Sequence, residues 1–148
     1  YRETVTALSV PRARLEPPGS QRRLEAEAEP LGERLCADLE EGLLGPPLGA
    51  AERASVLADR YGWDPDEGSR FWCFGPGDGC GLNVAVDAGA GAAAVGGGLA
   101  HPCADIRSAM VAACRWAAGE GVLCEEPLRG VRFSLLAAPA AGACGPDG

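Results

Sequence analysis

Glu125 and Glu126 stand side by side in "GEGVLCEEPLRGVRF", the run from Gly119 to Phe133, between a cysteine and a proline and ahead of a strand-like Val131, Arg132, Phe133. Two neighbouring carboxylates are the raw material of acid/base chemistry or of a metal corner. An acid/base pair needs environments that separate the two pKa values, and consecutive residues of an extended chain point to opposite sides. The pair is therefore badly placed to share one substrate, and a turn joining two elements is the better reading. The single histidine, His101, stands beside Pro102 and a low-complexity run, so a nucleophile at Cys103 would depend on a base from its immediate neighbourhood. A solvated loop histidine accounts for it more simply. Ser/His/Asp chemistry is equally unsupported, and no residue is assigned as catalytic.

Seven cysteines, Cys36, Cys73, Cys80, Cys103, Cys114, Cys124 and Cys144, make an odd number with no C-x-x-C pair and no Cys/His cluster at zinc spacing. Reduced, mostly buried thiols are expected, with no metal site and no obligatory disulfide. The glycine-rich runs Gly75 to Gly81 and Ala88 to Ala100 contain no G-K-[ST] and open no helix with G-x-G-x-x-G. They read as surface loops rather than phosphate cradles, and no cofactor is expected.

The elements that would position these residues alternate between strand and helix. Thr4 to Val10 is β-branched and apolar and predicts a strand. In "RRLEAEAEPL", Leu24, Ala26 and Ala28 alternate with Glu25, Glu27 and Glu29, a strand with one solvated acidic face. Leu31, Leu35 and Leu39 recur at helical spacing up to Gly42, and Ala54, Leu57, Ala58 and Tyr61 up to Gly62: two amphipathic helices with glycine stops. Leu82, Val84 and Val86 share one face of a third strand. From Asp105, an expected N-cap, Ile106, Met110, Ala113 and Ala117 make a helix ending at Gly119, and Gly130 to Leu136 returns as a fourth strand. The order β-β-α-α-β-α-β predicts an α+β two-layer sandwich, a mixed sheet with helices packed on one face.

The whole chain narrows the function classes. At 148 residues it falls in the single-domain range. A net charge of −8 argues against a stand-alone nucleic-acid binder, so any RNA contact must be local. All thirteen basic residues are arginine, a pattern of GC-rich coding drift that gives arginine at any one position little weight by itself. Without a leader-like opening or a stretch long enough to span a bilayer, a cytoplasmic protein with no membrane partner is expected.

"YRETV" at the start, "RYGWDPDEGSRFWCFGP" from Arg60 to Pro76, "GLNVAVD", and "IRSAMVAACRWAAGEGVLCEEPLRGVRF" from Ile106 to Phe133 resemble, in order and spacing and over nearly the whole chain, the fourth domain of eukaryotic elongation factor 2. The most specific matches are Trp72, Cys73, Phe74, Gly75, Pro76, Asn83, Trp116, Cys124, Glu125, Glu126, Arg129, Gly130 and Phe133. The resemblance implies a ribosomal protein S5 domain 2-like fold. It further implies a module that projects from a translational GTPase into the decoding region of the ribosome during tRNA-mRNA translocation, in contact with ribosomal RNA and with the other domains of the parent. Such a module is not an enzyme by itself, since GTP hydrolysis belongs to a separate domain of the family. The opening stretch then reads as helix end, turn and return to the sheet, with Glu125 and Glu126 offsetting Arg129 and Arg132 or meeting a neighbouring domain.

Departures from the family are equally informative. Its first tip loop corresponds to Pro17 through Arg23, so Arg12, Arg14, Ser20, Gln21, Arg22 and Arg23 are the expected RNA contacts. Its second tip loop carries a histidine modified to diphthamide. The corresponding run, Ala138 to Gly148, contains no histidine, and no diphthamide is expected. From about residue 137 the domain reads as incomplete or degenerate, which leaves a fragment, a gene model that departs from its frame, or a diverged, non-functional or paralogous copy. The paralogue alternatives are the elongation-factor-like GTPase of ribosome maturation, favoured by Pro127 and the missing histidine, and the related spliceosomal GTPase.

Overall fold

The computed structural model describes residues 1–16, 22–45, 48–77, 81–88 and 104–139. Five strands, β1 (Ala13–Leu15), β2 (Arg22–Pro30), β3 (Phe71–Gly75), β4 (Asn83–Asp87) and β5 (Val131–Pro139), form one sheet in the order β1-β2-β5-β4-β3. The pair β4/β5 is parallel and the others antiparallel. Helices α1 (Glu33–Glu40), α2 (Ala50–Tyr61) and α3 (Pro65–Ser69) fill the connection from β2 to β3, and α4 (Ala104–Gly119) lies in the crossover from β4 to β5. The fold is α+β with a mixed sheet.

The local chemistry explains most boundaries. Helix α2 stops at Gly62, whose φ of 71° is the left-handed conformation glycine adopts without a Cβ penalty. The Asp64 carboxylate caps α3, accepting from Asp66 N at 2.8 Å and Glu67 N at 3.2 Å, with Pro65 at the first helical position where its missing N–H costs nothing. Helix α4 begins at Ala104, so Asp105 lies inside it rather than capping it. Its inward stripe is Met110, Cys114 and Ala118, displaced from the expected Ala113 and Ala117.

The expected strand Thr4–Val10 does not form. That stretch is irregular and meets β2 at Ser9, whose N donates to Ala28 O at 2.8 Å and whose Oγ accepts from Ala28 N at 2.9 Å; the isolated bridge Glu3↔Leu128 lies just before it. The first strand is instead Ala13–Leu15, where Arg14 stands directly opposite Glu25. Strand propensity alone does not supply a partner strand, and the pairing falls at Ala13–Leu15 instead. The sequence order also lacked β3. Its register runs Phe71↔Val86 and then Cys73↔Ala85, so Trp72 is the extra residue of a β-bulge and the period-two pattern is broken.

Consecutive residues of β4, Val84 and Ala85, enter different cores, as do Cys73 and Phe74 of β3. Val84 and Phe74 pack with Leu35, Cys36 and Leu39 of α1 and Leu57 of α2; Cys73 and Ala85 pack with Cys114 of α4 and Leu135 of β5. Helices therefore lie against both faces of the sheet, whereas the sequence reading put them on one. All five residues of β4 are buried as a result.

Candidate functional site

Two places concentrate the residues singled out by sequence: the β1–β2 edge and the turn between α4 and β5.

At the β1–β2 edge the acidic face of β2 is not solvated. Arg14 Nε lies 3.3 Å from Glu25 Oε1 and Arg12 Nη1 lies 3.6 Å from Glu25 Oε2, while Arg12 Nε donates to Glu27. The carboxylates lie beneath the arginines: the Glu25 side chain is 6% exposed, those of Arg12 and Arg14 47% and 63%. The hydrogen bond from Arg12 to Glu27, with the charge of Glu27 behind it, holds the Arg12 guanidinium above its ordinary pKa. Further along β2, Glu29 pairs with Arg132 at 3.2 Å, and Arg132 also meets Glu67 and stacks 4.4 Å over the Trp63 ring. Burial pushes the Arg132 pKa down. Arg22 and Arg23 open β2 opposite Pro139 and Ala138; their side chains, with Ser20 and Gln21, lie outside the described residues.

At the second place Asn83 is 1% exposed and uses both ends of its amide. Its Nδ2 donates to Gly75 O at 3.2 Å and to Leu128 O at 2.7 Å, and its Oδ1 accepts from Val131 N at 3.0 Å. One side chain thereby joins the end of β3, the turn and the first residue of β5. Gly130, with φ 71°, donates to Leu82 O at 2.9 Å, and a Cβ there would stand 2.9 Å from Cys36 Sγ. Gly75 lets β3 approach α4, since its Cβ would lie 3.1 Å from that of Ala118.

Glu125 adopts φ 57° in an exposed turn, and neither it nor Glu126 supplies the counter-charge expected for Arg129 and Arg132. Arg129 pairs with Glu40 at 2.8 Å and Arg132 with Glu29 and Glu67. What the turn offers is backbone. Leu123 N at 2.9 Å, Cys124 N at 2.7 Å and Glu126 N at 3.1 Å donate to the carboxylate of Glu3, which keeps its pKa below the usual carboxylate value, chiefly through Cys124 N. Glu3 is the residue sequence reasoning missed. Its partners are 120 to 123 positions away, and no local pattern announces them.

The remaining signature residues divide by burial. Cys73 and Phe74 are core, Phe133 packs against the α4 side, and Trp72 lies under the Arg107 guanidinium at 5.5 Å. Pro76 follows Gly75 through a cis peptide. Trp116 is 69% exposed, and the neighbouring Val122 and Leu123 are exposed as well.

The buried thiols and the Tyr61 hydroxyl are shifted toward their neutral forms. Burial raises the Cys73 thiol pKa and pushes that of Cys114 to about 11, the reverse of an activated nucleophile. The Tyr61 hydroxyl, partly buried and donating to Asp38, is pushed up to about 12. Cys36, Cys73, Cys114 and Cys124 are free thiols, and among the described residues no three His, Cys, Asp or Glu side chains group as metal ligands. His101, Cys80, Cys103, Cys144 and Ala140 to Gly148 lie outside the described residues.

The family model described as elongation factor G, domain IV, matches residues 48–141, more than half of the chain. The chain belongs to the elongation factor G domain IV family. It is a domain IV module of the kind carried by translation elongation factor-like GTPases, a family associated with the ribosome. The matched segment runs from before α2 through β5 and takes in Asn83, Gly130 and the "WCFGP" strand; β1, β2 and α1 precede it. No helix among the described residues is long and apolar enough to cross a membrane.

Proposed function

We propose that this domain is the ribosome-facing module of an elongation factor 2-like translocase, meeting RNA through the β1–β2 hairpin and carrying no chemistry of its own. The observation that carries the reading is the domain IV match over residues 48–141. "WCFGP" and "RGVRF" within it, with Trp116, favour the eukaryotic elongation factor over the maturation-type GTPase. The hairpin adds four arginines, Arg12, Arg14, Arg22 and Arg23, in a chain of net charge −8, so a phosphate backbone has one concentrated place to meet it.

A maturation-type GTPase is the second reading, favoured by Pro127 and by the absence of histidine from Ala138 to Gly148. In the structure the Pro127 carbonyl accepts from Glu3 N at 3.1 Å. Either parent places the module in the cytoplasm beside ribosomal RNA and the other domains of its GTPase.

Charge reversal of Arg22 and Arg23 together is expected to abolish co-sedimentation with ribosomes, and binding of the unaltered chain should fall steeply with salt. Unchanged binding by the reversed chain would remove the hairpin from the interface. Expressed in a diphthamide-competent cell, the chain should take no ADP-ribose label from diphtheria-type toxin and NAD. A label mapping to His101 would overturn the placement of the second tip loop.

A further inference from the structure

The arginines over β2 are not bare cations. Arg12 and Arg14 lie across Glu25 and Glu27, so that among the described residues each cation in the patch has a carboxylate beside it. Such a group presents a dipole to an approaching phosphate, and its field falls off faster than that of an isolated charge. Both arginines meet the nearly buried Glu25 carboxylate, whose charge would be poorly compensated without them. They therefore stay in place, and a phosphate must join them from outside, on the half-exposed faces of the two guanidinium groups.

Resting on the proposed RNA contact of this hairpin, we infer that Glu27 is an attenuating residue: its carboxylate competes with RNA phosphate for Arg12 and holds the affinity of the hairpin down. Glu25 is the structural member, buried under both arginines, whereas among the described residues Glu27 pairs with Arg12 alone and faces Ser134 across the strand pair. The division predicts that neutralising Glu27 strengthens RNA binding and leaves the fold intact.

The test measures ribosome binding by the full 148-residue chain across a salt series. Glu27→Gln should tighten binding about three- to fivefold at about 0.1 M salt, the effect of one unit charge near a phosphate. It should also steepen the dependence of log affinity on log salt by about 0.7 to 0.9, one additional phosphate contact. Adding Arg12→Gln should cancel both gains, and Glu16→Gln, which removes an equal charge from the exposed end of β1, should give less. Should Glu27→Gln melt early, Glu27→Ser replaces it. No gain from Glu27→Gln, a gain that survives loss of Arg12, or an equal gain from Glu16→Gln would overturn the inference while the hairpin reading stands. Unchanged binding after charge reversal at Arg22 and Arg23 would overturn both.

Discussion

Asn83, at the Val131 end of β5, and the β1–β2 arginines, level with the middle of β5, use polarity in opposite ways. At the Val131 end, a neutral amide and a glycine are buried and matched to named backbone groups, with Glu3 nearby held by three backbone N–H groups. Level with the middle of β5, guanidinium groups lie over the carboxylates of Glu25 and Glu27 with their outer faces in water. A buried hydrogen bond to backbone allows one geometry and is expensive to leave unmade; an ion pair near the surface tolerates several geometries and contributes little to stability. The first region is built to be correct, the second to be available.

The comparison breaks most directly at Asn83. Asn83→Asp sets a carboxylate oxygen against the carbonyls of Gly75 and Leu128 and is expected to cost about 3 kcal/mol or more, read as a lower denaturant midpoint. A smaller loss would mean that the amide is not the junction described. Gly130→Ala follows, at about 1 to 3 kcal/mol, because it combines a left-handed φ with a Cβ 2.9 Å from Cys36 Sγ. Adding Cys36→Ala should relieve only the steric part, so the double variant separates contact from conformation.

Glu3 gives a pH signature. Its folded pKa lies below the ordinary 4.5, so its contribution to stability is present above that value and is lost as pH falls through the folded pKa. Glu3→Gln should flatten the acid limb of the stability curve, and an unchanged limb would show that the three N–H bonds do not favour the charged form. The smallest effect is expected at Trp116. Despite its place in the family signature it is largely exposed, and Trp116→Ala should change stability by under about 0.5 kcal/mol. A large loss would put Trp116 with Asn83 among the structural residues.

Much of the fold was legible. The alternation in Leu24 to Glu29 marked β2, and the spacing from Ala54 to Tyr61 with Gly62 behind it marked α2, because each signal lies within a few residues of its consequence. The strand expected at Thr4–Val10 failed because propensity cannot supply a partner, and β3 escaped because a bulge at Trp72 spoils the period that would reveal it. For the candidate sites, the residue types of the hairpin and the turn were readable, but their pairing was not: Arg129 and Arg132 looked to Glu125 and Glu126 along the chain and found Glu40, Glu29 and Glu67 across it.

The sequence by itself determined the α+β class, the helices with glycine stops, and membership in a domain IV lineage through "WCFGP" and "RGVRF", all properties carried by neighbouring residues. Only the tertiary structure decided that the glutamates of β2 lie under arginines rather than in water. Alternation puts Glu25, Glu27 and Glu29 on one face but says nothing of what covers it, and that depends on β1 and on Arg132, which reach the strand from before it and from more than 100 positions after it. The role of Glu3 is the extreme case: a carboxylate at one end of the chain finds its three donors near the other, and only folding brings them within hydrogen-bonding distance.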